Sequence, residues 1–411
     1  NDRALQVKIA QLYERACPSL LYTAPHCRPS ARIEKAGKVK IGFISRYLFS
    51  HSVALTARGL MAELTKEQFT KYVFCVPPVQ KDQVSALIRQ AVDHAVVLPG
   101  SLAAARERIA EARLDILVYL DIGMEPLTYF LAFARLAPVQ CVFPGHPVTT
   151  GIRTMDYFIS SEVLEPAGAD AHYSERLVRL KFLPVYYHRP EIPDKRKTLR
   201  EFGLDEGRTI YLCPQALFKV HPDFDEVMAG ILRADPRGEV VLVEVREKHW
   251  VDLLKARFER TIPDVADRIR FLARLSTDDF LQLLAVVPVV LDTLHFGGGT
   301  TSFMAMAAGT PVVTMPSEFM RGRVMHACYK QMGMMDCVAK SPAQYVKTAV
   351  RLGTDCAFRE ATKQKILARN HVLYENHAVV REFEQFFDRA VEEARKSGRK
   401  SFRRGARTKT G

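Results

Sequence analysis

From Val39 onward, short apolar runs alternate with stretches in which apolar residues recur every three or four positions, and this rhythm predicts βα units building a parallel sheet. The runs VKIGFIS (39–45), YVFCVP (72–77), AVVLP (95–99), LDILVYLDI (114–122), VQCVFPG (139–145) and MDYFISS (155–161) read as strands, with VSALIRQAVDHA and LAAARERIAEAR as helices between them. The polar, proline-bearing stretch YYHRPEIPDKRKTLREFG (186–203) breaks the rhythm. It then restarts with TIYLCPQ (209–215), EVVLVEV (239–245), IRFLARL (269–275), PVVLDTL (288–294) and PVVTMP (311–316). The expected fold is α/β, two Rossmann-like doubly wound domains facing a central cleft at the carboxyl ends of their strands, where such sheets bind ligands.

The punctuation divides the chain into a helical lead-in (1–37), a first domain (38–190), a linker (191–205), a second domain (206–394) and a basic, disordered tail (395–411). The last long helical pattern, 358–396, is able to cross back onto the first domain.

Composition narrows the function class. Hydrophobic residues are 48% and charged residues 26% of 411, the usual balance of a globular protein. With no apolar run of about 18 residues and mixed charges in the opening NDRALQVKIAQLYERAC, a cytoplasmic protein without a membrane span is expected. Eight scattered cysteines without a C-x-x-C pair read as reduced thiols rather than a zinc site or disulfide framework. The net charge is +13, but eight positive charges follow Glu393 and removing them leaves +5. The tail is therefore the candidate for an acidic partner, and nucleic-acid binding by the body of the chain is not favoured.

Chemistry concentrates at the ends of the expected strands. In LDTLHFGGGTTSFMAMAAGTPVVTMP (291–316) a buried strand gives way to Gly297, Gly298 and Gly299, and a helix starts near Thr300 and Thr301. Glycines let a backbone approach a ligand closely, and a helix N-terminus offers N–H donors and partial positive charge to phosphate oxygens. The competing reading is a plain tight turn. In YLCPQALFKVHPDFDEV (211–227), Lys219 follows a strand and precedes a helix opened by Pro222, where its amine is placed to neutralise a diphosphate or to stand on the surface. Asp223 and Asp225 form a D-x-D pair, but first-turn carboxylates are explained by the helix dipole, and no metal is expected. In the first domain, His51 in SRYLFSHSVALTARGL and His146 in FPGHPVTTG leave strands at the same sheet edge, as candidate acid–base groups or as structural histidines.

Together, GFISRYLFSHS, LAPVQCVFPGHPVTTGIRTMDYFISS, CPQALFKVHPDF and HFGGGTTSFMAMAAGTPVVTMPSEFMRGR resemble the catalytic region of the O-GlcNAc transferase and SPINDLY-like family, family 41 glycosyltransferases, and in particular its bacterial members. The resemblance runs from about residue 5 to 395. It implies a two-domain GT-B fold and an inverting, metal-independent transfer of a sugar from a nucleotide-diphosphate donor, UDP-GlcNAc first, to Ser or Thr of a protein, with no cofactor. Lys219 resembles the family lysine on the diphosphate, Thr300 and Thr301 its phosphate-contacting pair, and His51 its histidine on the sugar and acceptor side. Leu275 falls where backbone groups read the base, and Phe280 where a ring stacks on it. Family members often carry tetratricopeptide repeats before this region. Two positions depart from the pattern: Met304 replaces an acid that holds the ribose, and the glutamine expected three residues before the lysine is Ala216, with Gln215 one place earlier. The alternatives are transfer of glucose or fucose to Ser, Thr or Asn, and a non-catalytic module that binds a sugar nucleotide.

Overall fold

The computed structural model describes residues 1–28, 37–194, 196–244 and 247–407, with the side chains of 248 and 397–407 outside that description. Contacts divide the chain into two compact units, Asn1–Tyr187 with Asn376–Gly411, and His188–Glu375.

The first unit holds seven strands, β1 (Val39–Ser45), β2 (Phe69–Cys75), β3 (His94–Val97), β4 (Ile116–Tyr119), β5 (Val139–Val142), β6 (Tyr157–Ser161) and β7 (Arg176–Leu180). All pair in parallel, in the order β3-β2-β1-β4-β5-β6-β7. Helices α1 (Arg3–Ala16), α2 (Ser52–Glu63), α3 (Gln83–Ala91), α4 (Leu102–Glu111) and α5 (Pro126–Leu131) supply the lead-in and crossovers. The lead-in helix is anchored by Tyr13, whose ring meets Tyr129, Phe130 and Phe133 edge-on. Local rules fix helix starts: Asp82 and Ser85 form a reciprocal capping box at α3.

The second unit holds β8 (Thr209–Cys213), β9 (Gly238–Val243), β10 (Ile269–Leu272), β11 (Val289–Leu291) and β12 (Val312–Val313), again parallel, in the order β10-β9-β8-β11-β12. Its helices are α6 (Asp225–Ala234), α7 (Lys248–Thr261), α8 (Thr277–Val286), α9 (Thr300–Ala308), α10 (Val324–Met332), α11 (Pro342–Thr354) and α12 (Cys356–Arg369). The eleven strands expected from the apolar pattern all form. In each sheet the strand order reverses once, between β1 and β4 and between β8 and β11. That reversal opens a crevice at the carboxyl ends of the two strands, because their outgoing connections leave in opposite directions.

The last helix, α13 (His377–Arg407), belongs to the first unit. Its Val379, Val380, Phe383 and Phe387 are fully buried in the core of β1, β2, β4 and β5, each burial stabilising by about 1.5–3 kcal/mol. Glu384 adds an acceptor for the Thr65 N–H at 2.9 Å. The second unit therefore closes at Glu375 rather than at 394, and the stretch expected as a linker, 191–205, lies inside it. The segment expected as a disordered tail is helical from 395 to 407, since a helix nucleated by a packed face propagates cheaply. Residues 408–411 lie outside the described residues.

Two further features bear on the expectations. All eight cysteines are free thiols. Among the described residues, no helix is long and apolar enough to cross a membrane.

Candidate functional site

The reversal in the second sheet collects the strongest candidates. The connection after β8 carries Gln215 and Lys219, and the one after β11 carries Asp292 and the glycine triplet. Lys219 Nζ donates to the Gly297 carbonyl at 2.8 Å and stands 4.1 Å from the centre of the Phe296 ring. Burial pushes this half-buried amine down to about 8, partly countered by the charge of Asp292. Asp292, 2% exposed, is pushed up to about 6 by burial against three opposing influences: the Gly298 N–H it accepts at 2.7 Å, the Thr314 hydroxyl it accepts at 2.8 Å, and the charge of Lys219.

Two of the three glycines are explained by the space around them. A Cβ at Gly297 would stand 2.8 Å from both Asp292 carboxylate oxygens. One at Gly298 would stand 2.5 Å from Thr301 Oγ1, 2.8 Å from Gln215 Nε2 and 2.9 Å from Ser302 Oγ. Gly299 faces open space and precedes the first residue of α9, Thr300. Thr301 donates its hydroxyl to Gln215 Oε1 at 3.2 Å, so the glutamine one place early in sequence still reaches the loop. Met304 sits one turn beyond Thr300 on α9 and brings no charge there. The helix is short and mostly buried, so its free N–H groups and the lysine make the positive end of this edge.

Leu275 and Phe280 lie further out on the same edge of the sheet. Leu275 follows β10, two strands from β8, and Phe280 is in the first turn of α8, whose start is capped by Ser276 accepting from the Asp279 N–H at 3.1 Å. Both are half-buried. The D-x-D carboxylates diverge: Asp225 accepts from Arg257 at 2.8 Å and from Thr261 at 3.1 Å, whereas Asp223 lies 2.7 Å from His295 Nε2.

The reversal in the first sheet places His51 after β1. His51 is the N-cap of α2, its Nδ1 accepting the Val53 N–H at 3.2 Å, and its ring stacks on Tyr47 at 4.4 Å. Burial lowers its basicity below the usual histidine value, which leaves a neutral ring at neutral pH. Tyr47 is held in turn by its hydroxyl donating to the Met124 carbonyl at 3.1 Å. His146, after β5, is half-buried and packs against Gly123, where a Cβ would stand 2.7 Å from its ring and φ is +95°.

Tyr47, Asp121 and Asp292 were not singled out in the sequence. Asp121 follows β4, is fully buried, accepts from the Ser45 hydroxyl at 2.8 Å and the Arg46 N–H at 2.9 Å, and is pushed up to about 6 by burial. A lone acid closing an apolar strand, as in LVYLDI and VVLDTL, was the available signal. A separate pocket, lined by Leu199, Arg208, Thr209, Pro311 and Arg359, lies where β8 and β12 begin, at the opposite edge of the sheet.

Comparison with known proteins shows the family and the fold. The family model described as Glycosyl transferase family 41 matches residues 3–189 and 195–381. The chain is 29% identical over 329 residues, 77% of its length, to the probable UDP-N-acetylglucosamine–peptide N-acetylglucosaminyltransferase SPINDLY of Arabidopsis thaliana, and 22% identical over 388 residues, 89% of its length, to the same plant's SEC. It spans 35% and 39% of those relatives' own lengths. A solved structure of a mutant O-GlcNAc transferase from Thermobaculum terrenum superposes with a TM-score of 0.83 at 24% identity, covering 97% of this chain and 75% of that one. The Anabaena protein HepE in complex with UDP and glucose gives 0.56 at 12% identity, covering 85% and 99%. These likenesses establish the GT-B fold expected from the sequence.

Proposed function

The chain belongs to glycosyl transferase family 41, and on that premise we propose that it moves a sugar, N-acetylglucosamine first, from a nucleotide-diphosphate donor to Ser or Thr hydroxyls of a protein with inversion. The observation that carries this reading is the contact of Lys219 Nζ with the Gly297 carbonyl at 2.8 Å, beside the start of α9. One N–H of the amine is used on the carbonyl, and two remain for diphosphate oxygens. The N–H groups at Thr300 and Thr301 face the same negative charge.

In the proposed reaction the acceptor hydroxyl attacks the anomeric carbon, the C–O bond to the diphosphate breaks on the opposite face, and the departing oxygen takes the electron pair. Lys219 and the α9 terminus stabilise the charge that develops there. The hydroxyl proton passes to a neutral base, for which we favour His51, with His146 and a donor phosphate oxygen as the other candidates. Gln215 takes the place of the family glutamine through its bond to Thr301. Leu275 and Phe280 are assigned to the base, and no step is routed through a metal ion or a cofactor. The reading places the protein in the cytoplasm, where free thiols persist, and assigns an acidic partner to the basic end of α13.

Met304 favours a second reading of the donor, because an apolar side chain where the family places an acid leaves a ribose hydroxyl without that partner. The test is mass spectrometry of acceptor proteins incubated with UDP-GlcNAc, UDP-glucose and GDP-fucose, beside a thermal-shift panel of the same nucleotides. Transfer from UDP-GlcNAc supports the first reading, and transfer from another donor the second. Melting shifts without transfer from any of the three would leave only a binding module.

A further inference from the structure

Outside the donor-side cluster, three exposed side chains meet at one point: His221, Asp223 and His295. His221 and Asp223 come from the turn before α6, and His295 from the loop after β11, 72 residues from Asp223. One carboxylate oxygen of Asp223 stands 2.7 Å from His295 Nε2, and the other 3.5 Å from His221 Nδ1. One ligand atom from each residue falls within 4.8 Å of the others. In a tetrahedral site with bonds of about 2.0–2.2 Å, ligand atoms stand about 3.5 Å apart, so small rotations of exposed side chains complete the geometry.

The plain alternative is an exposed histidine–aspartate hydrogen bond, and three observations go beyond it. Both side chains within 3.5 Å of the Asp223 carboxylate are imidazoles, His221 Nδ1 also accepting the Asp223 N–H at 3.2 Å as the cap of its turn, in a chain of net charge +13 whose neighbouring Asp225 takes Arg257. The two rings stand edge to face with centroids 4.7 Å apart, both against one carboxylate. Finally, His295 is held at φ +67°, a left-handed backbone that is unfavourable for a residue with a Cβ and that persists where the surroundings impose it.

We infer that His221, Asp223 and His295 form a binding site for one borderline divalent transition cation such as Zn²⁺. Two imidazoles and a carboxylate suit such ions, whereas Mg²⁺ and Ca²⁺ favour oxygen-only sets. The fourth position is open to water. The ion joins the segment of Lys219 to the loop of Gly297, so its occupancy fixes the two connections that make the donor-side cluster and stabilises the folded state.

The test uses the untagged full chain titrated with Co²⁺, followed by visible absorption and displaced by Zn²⁺. The expected result is one Co²⁺ per chain with the intensity of a four-coordinate nitrogen and oxygen site, and a higher melting temperature with Zn²⁺. His295→Asn, chosen because Asn tolerates the left-handed backbone, and Asp223→Asn should each weaken Co²⁺ binding at least tenfold. Metal-free melting of both variants near the parent value confirms their fold. A thiolate-to-cobalt band in the near ultraviolet would put the ion on an exposed cysteine, Cys17 or Cys356, and would overturn the site. Equal affinity in parent and variants, or no spectral change at millimolar Co²⁺, would overturn it as well.

Discussion

The carboxylate of Asp292 accepts the amide N–H of Gly298 at 2.7 Å, from a position 2% exposed to solvent. The first unit repeats the device, with buried Asp121 accepting the Arg46 N–H at 2.9 Å. In each sheet the acid stands after the strand at the reversal: Asp121 ties down the connection after β1, and Asp292 ties down its own loop at Gly298 and the connection after β12 at Thr314. Its desolvation is opposed by those hydrogen bonds, so each carboxyl is pushed up to about 6 rather than further.

A pH dependence follows from Asp292. An acid whose folded value, about 6, lies above its ordinary 3.8 holds its proton more tightly when folded. Its contribution to stability is therefore greatest at low pH, shrinks as pH rises across that window, and stays constant above it. Asp292→Asn keeps an acceptor for Gly298 but does not ionise. Denaturant unfolding of parent and variant should diverge in the variant's favour between pH 4 and pH 7, by on the order of 2 kcal/mol. A difference independent of pH would mean that Asp292 is ionised throughout.

Lys219→Ala removes the amine from the glycine loop. The transfer rate should fall about a hundredfold or more, the usual loss when a charge contact to the developing anion is deleted. Stability should change little, because burial already opposes the charged amine. Near-normal turnover, measured as nucleotide release with the acceptor present, would remove Lys219 from the mechanism.

Gly298 and Gly299 should respond differently to the same methyl group. At Gly298 it meets three side-chain atoms at 2.5–2.9 Å, an overpacking worth about 1–3 kcal/mol, or about 2–4 °C per kcal/mol in a unit of this size. At Gly299 it meets nothing within 4 Å. Thermal melting of Gly298→Ala should therefore fall by several degrees with loss of nucleotide-induced stabilisation, whereas Gly299→Ala melts like the parent.

Eleven of the twelve strands were legible as short apolar runs, most of them buried in parallel sheets, although β3 is mostly exposed. The twelfth, β7, is an edge strand paired only with β6, and Arg176 and Arg179 interrupt its pattern as edge strands allow. The place of α13 was half legible: its apolar face was plain, but which core it enters is a long-range matter. Lys219 and the glycine triplet stood out because an amine at a strand exit can meet negative charge and glycines before a helix let the backbone approach a ligand. Asp121 and Asp292 were missed because a single acid after an apolar run reads as a solvated strand exit until the fold shows it buried.

His51 combines two roles that one substitution can separate. It caps α2 through the Val53 N–H at 3.2 Å and presents its ring against Tyr47. His51→Ala should lose both, with a cap cost of about 1 kcal/mol. His51→Asn restores a capping oxygen without an imidazole, so it should melt close to the parent yet transfer sugar at least about tenfold more slowly, as expected when a general base is lost. The acid limb of the parent's kcat/KM profile should lie below the ordinary histidine value of 6.5, because burial disfavours the charged ring, and should vanish in the Asn variant. A His51→Asn protein with parental rate and parental acid limb would move the proton-accepting role to His146 or to the donor phosphate.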